Sequence, residues 1–84
     1  MTDKIVLNDG TELTGSAIMD ENVLWIDAGN ITFDALYREL SNPKKTQKIS
    51  VYEYGVVNKR EGFTHLFYLR EGPGMVSAGL EKVV

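Results

Sequence analysis

Cysteine is absent from this sequence, proline occurs twice and histidine once. Without cysteine there is no disulfide framework, the usual staple of a small secreted domain, so an intracellular or particle-borne protein is expected. Zinc loses its thiolate ligands as well, and one histidine does not replace them. No apolar run approaches the ~20 residues that span a bilayer. The opening MTDKIVLNDG is too polar and acidic for a signal peptide, so neither a membrane partner nor secretion is expected. Positive charge is also in deficit: nine Lys and Arg face twelve Asp and Glu, for a net charge of −3, which argues against a chain built to attract phosphate backbones or anionic lipid.

Hydrophobic residues make up 43% of the chain and charged residues 25%, the balance of a folded protein rather than a disordered one. Its 84 residues are too few for two cores, so residues 1–84 are read as a single domain. A domain of this size buries only about 60% of the surface its unfolded chain exposes, and a partner or second subunit would add to its stability.

In DKIVLNDGTELTGSAIM, alternation around Ile5 and Leu7 runs into Asn8-Asp9-Gly10, residues that tolerate positive φ, so a β-hairpin is expected there. The return strand runs from Thr11 to Met19, with Gly15 marking a bulge or bend. A polar turn at Asp20-Glu21-Asn22 leads to VLWIDA, an apolar run suited to a central strand. Phe33, Leu36, Tyr37 and Leu40 then fall at i, i+3, i+4 and i+7, one face of a short helix. Thr32 is its expected N-cap and Asn42-Pro43 its stop. KKTQKISVYEYGVV resumes alternation, with Ile49, Val51 and Glu53 on one face and Ser50, Tyr52 and Tyr54 on the other. NKREGF reads as a polar loop, and THLFYLRE and MVSAGLEKVV as a hairpin closed by Gly72-Pro73-Gly74. Leu66, Tyr68 and Arg70 are expected on one face of that first strand, with His65, Phe67 and Leu69 on the other. No internal repeat is visible.

The expected fold class is α+β, ordered β-β-β-α-β-β-β: a bent antiparallel sheet or small half-open barrel with one short helix packed on it. Unpaired edges in such a sheet invite self-association by strand addition.

No arrangement of residues announces chemistry. His65 has no activated serine beside it in sequence, and pairing it with Glu61 or Glu71 as an acid-base couple lacks a motif; no catalytic residue and no enzyme activity are assigned. Asp3, Asp9, Asp20, Glu21 and Asp27 sit at turn ends without the spacing of a calcium loop, so no metal and no cofactor are assigned. Lys44, Lys45 and Lys48, joined by Lys59 and Arg60, form the one basic concentration. With Tyr52, Tyr54 and Phe63 as stacking surfaces they make a nucleic-acid-binding domain the alternative reading. Trp25 is expected in the core between aliphatic neighbours, an exposed anchor being the alternative. The candidate partner surface is Tyr52, Tyr54, Phe63, His65 and Phe67.

LNDGTEL, VLWIDAGNITFDALYREL, NPKKTQKI, EGFTHLFYL and MVSAGLEK together resemble small proteins of unknown function encoded in bacteriophage and prophage genomes of gut Firmicutes, often among tail structural genes. The resemblance spans most of the chain. It implies a phage-associated protein that acts by binding, and it carries over no functional residues. The expectation is therefore a non-enzymatic protein-protein interaction module: a virion or tail-assembly component, or an inhibitor of a host protein.

Overall fold

A computed structural model describes residues 2–41 and 47–82. The first strand, β1 (Thr2–Val6), turns back through Asn8-Asp9-Gly10 into β2 (Glu12–Leu13). The Asp9 carboxylate accepts from the Thr11 amide at 2.9 Å, while Leu7 and Thr11 close the loop through their backbones. Two residues past β2 the chain bends. Gly15 has φ +147°, and a Cβ there would stand 1.8 Å from the Asp27 carbonyl oxygen, so only glycine permits this corner. Beyond it, β3 (Gly15–Asp20) pairs with β4 (Val23–Ala28) across the expected turn.

The helix α1 (Phe33–Leu40) begins as its spacing predicts, with the Thr32 hydroxyl accepting from the Ala35 amide at 3.2 Å. Leu36 and Leu40 are buried under it. Its last turn is held from the next strand, where the buried Gln47 side chain donates to the Glu39 carbonyl at 3.2 Å. The Asn42-Pro43 stop lies outside the described residues.

The second half departs from expectation at its first turn. Strand β5 (Gln47–Glu53) ends at Tyr54-Gly55, which turn with φ values of +52° and +78°, and NKREGF is not a loop but most of strand β6 (Val56–Phe63). Lys59 and Glu61 face solvent across from Ser50 and Lys48, so the segment's polarity is that of an edge strand with one wet face. A single residue, Thr64, separates β6 from β7 (His65–Gly72), which pairs with β8 (Met75–Glu81).

Two four-stranded antiparallel sheets result, ordered β2-β1-β5-β6 and β3-β4-β8-β7. Because β2 runs into β3 and β6 into β7, two long bent strands pass from one sheet to the other. In place of the expected three strands, a helix and three strands, there are four strands, the helix and four strands, because each bent run is divided between the two sheets. The molecule is a small β-rich domain with one short helix, and the α+β label fits it loosely. Exchanging β1 to β4 for β5 to β8 reproduces both sheet orders, so the two halves are related by an approximate two-fold in topology. The core lies between the sheets, with Ile5, Leu13, Leu24, Ile49, Phe63 and Leu80 all 1% exposed or less. Among the described residues no helix is long and apolar enough to cross a membrane.

Candidate binding face

Strand β4 decides where the site is. Leu24, Ile26 and Ala28 turn inward and are buried, so strict alternation sends Trp25 outward, where 38% of it is exposed. This corrects the expectation that Trp25 belongs to the core. Its cross-strand neighbours on the outer face of the second sheet are Ile18 of β3 and Gly79 of β8.

The same row reaches β7 through a bulge. Leu66 pairs with Leu80 and Tyr68 with Gly79, leaving Phe67 as the extra residue. Alternation therefore slips: Leu66 and Leu69 both pack against the core, while Phe67 and Tyr68 are both exposed. The expected split, which placed Leu66 with Tyr68 and Phe67 with Leu69, fails because a bulge adds one residue to the period. Phe67 and Tyr68 meet Trp25 edge-to-face, with ring centroids 5.4 and 5.6 Å away. Gly79 makes room for them, since a Cβ there would come within 2.9 Å of Trp25 Cζ3 and 3.0 Å of Phe67 Cζ.

An apolar row thus crosses all four strands: Ile18, 63% exposed, then Trp25, Gly79, and Phe67 with Tyr68. Rows that are polar but for Val23 flank it. On one side stand Asp20, Val23, Glu81 and His65, with His65 Nε2 3.8 Å from Glu81 and its ring stacked on Phe67 at 6.5 Å. On the other are Ser16, Asp27, Ser77 and Arg70, the Ser77 hydroxyl donating to the Asp27 carboxylate. Beyond Phe67 and Tyr68 the surface dips into a groove of about 390 Å³ between β7 and α1, lined by Phe33, Asp34, Tyr37 and the Leu66 to Leu69 stretch.

The candidate residues do not assemble into one surface. Phe63 is fully buried and is no partner residue; it lies at the end of β6, where the chain enters the interior corner between the sheets, with Lys82 Nζ 5.3 Å from its ring centroid. Tyr52 lies on the outer face of the first sheet with Lys4 Nζ 4.8 Å above its ring, and Tyr54 stands 79% exposed at the hairpin tip. Only His65 and Phe67 share the aromatic row's face. The basic residues divide as well. Lys48 and Lys59 border a shallow hollow that also holds Glu61. Arg60, next along the strand from Lys59, points to the opposite face of β6. Lys44 and Lys45 lie outside the described residues. Ile18 and Tyr68 are not on the expected partner surface, and Trp25 enters there only as the alternative exposed anchor, although the phase of Leu24, Ile26 and Ala28 carries the signal for it.

Lys4 and Asp9 are tuned, both away from this face. The Glu12 carboxylate, 2.9 Å from Lys4 Nζ, holds that ammonium above its ordinary value, and the hydroxyl and amide of Thr11 hold the Asp9 carboxyl below its own. Both stabilise the first hairpin. Among the described residues no three His, Asp or Glu side chains converge as metal ligands would. Comparison with models of known families, with curated proteins and with solved structures finds no match to this chain.

Proposed function

We propose that this protein is a non-enzymatic interaction module whose contact face is the outer surface of the second sheet. The observation that carries the reading is the apolar row from Ile18 through Trp25 to Phe67 and Tyr68, open to solvent across four strands. A sheet of this kind has no need of aromatic side chains on its wet face for folding, whereas an interface draws on Trp and Tyr as anchors inside a polar rim. The resemblance to phage-encoded proteins supplies a setting: the partner is another virion or tail component, or a host protein that the module inhibits. The nucleic-acid alternative has less support, because Glu61 sits across from Lys48 and Arg60 points away from Lys59. Light scattering over a concentration series, with a pull-down from a Firmicute lysate, tests the proposal. Self-association or a retained protein is expected; a strict monomer that retains nothing contradicts it.

A further inference from the structure

Resting on the reading that this protein acts by binding other proteins, we infer that the groove between α1 and β7 takes an extended peptide segment by strand addition to β7. The segment carries apolar side chains at alternate positions and a lysine or arginine beside Asp34. Strand β7 ends the second sheet, with β8 on one side only. Among the described residues, no hydrogen bond is made by its other side. Those backbone groups are a template for another strand.

A helix beside an edge strand is also a common way of shielding it. Length decides against complete shielding here: the eight residues of α1 span about 12 Å, and the eight of β7 about 26 Å. Even side by side with the strand the helix itself reaches along less than half of the edge, and the chain before it, at Gly29, Ile31 and Thr32, borders only the far end of β7 at Glu71 and Gly72. What the helix adds is a wall. Phe33 and Tyr37 face Leu66 and Leu69 across the groove, and its volume of about 390 Å³ lies within the range of ligand sites. Side chains on one face of an added strand would enter this apolar space, while its backbone paired with β7. Among the described residues Asp34 is the one charged side chain in the lining, which selects a cation on the incoming segment. Phe67 and Tyr68 border both the groove and the aromatic row, so a partner anchored on the row has a continuous path to the edge.

A displayed library of random peptides, selected on the full chain, supplies the probes, and a selected peptide is then followed by amide chemical shifts. The inference expects enrichment of alternating apolar residues with one Lys or Arg, and shifts concentrated in β7 and α1. N-methylation of two alternate peptide amides, those facing β7, should weaken binding about tenfold, since each blocks a backbone hydrogen bond. Methylation of the two intervening amides should change little. Asp34→Lys, on an exposed helix position, should turn the selected charge from basic to acidic. Shifts confined to Ile18 and Trp25, with no sensitivity to N-methylation, overturn strand addition while leaving the interaction module standing. Failure to enrich any peptide overturns it too. So does a dimer in light scattering that Asp34→Lys dissolves, because a second copy would then be the occupant.

Discussion

Gly15 and Gly79 are both places where a side chain will not fit, for different reasons and at different cost. At Gly15 the obstacle is backbone, the Asp27 carbonyl, and φ is +147°. Gly15→Ala should therefore lower stability by about 2–4 kcal/mol, read as a lower urea midpoint. At Gly79 the obstacle is the rim of two exposed rings that can swing aside. Gly79→Ala should cost only about 1 kcal/mol, with a change in the fluorescence of Trp25, the sole tryptophan. Asp9 gives a prediction in pH. Its folded carboxyl lies below the ordinary value of 3.8, so the unfolded chain binds the proton more tightly and stability falls as acid protonates the folded group. Its contribution is complete above about pH 4 and lost below the folded value. The urea midpoints of wild type and Asp9→Asn should differ at pH 6 and converge toward pH 2. An unchanged difference would mean that the Thr11 contacts do not tune Asp9 in solution.

Elements were legible where a local signal set them. The helix followed from four apolar positions and a capping threonine, and the first hairpin from Asn8-Asp9-Gly10. The hairpin of β5 and β6 is not legible at its true turn because Tyr54-Gly55 carries only half of a turn signature. Tyr54 adopts φ +52°, which its residue type does not advertise, and the tight turn it forms lets the polar NKREGF continue as a strand. Asparagine tolerates that conformation better. Tyr54→Asn, at a position 79% exposed, should raise stability by about 0.5–1 kcal/mol, measurable as a higher urea midpoint. The bulge at Phe67 was invisible for another reason. A bulge is a property of two paired strands, and Phe67 and Gly79 are brought together only by the pairing across the hairpin, so alternation read along β7 alone does not carry it.

For the whole molecule, the sequence showed a β-rich domain with one helix but neither the two-sheet arrangement nor the approximate two-fold. The halves share strand order and corners rather than residues or strand lengths: Gly15 turns one corner and Thr64 the other. The candidate partner surface was half legible, since His65 and Phe67 belong to the exposed face and Phe63 to the core. Trp25 moved the other way, from expected core to the middle of that face. The central claim is that this face exists to be covered. It is tested most directly by quantifying the proteins that wild type and Ile18→Lys retain from the same lysate, after circular dichroism has shown both to be folded. Ile18 is 63% exposed on an edge strand, so the added charge leaves the core intact and places an ammonium in the apolar row. The account predicts at least one protein held by wild type and lost by Ile18→Lys; identical retained sets would contradict it.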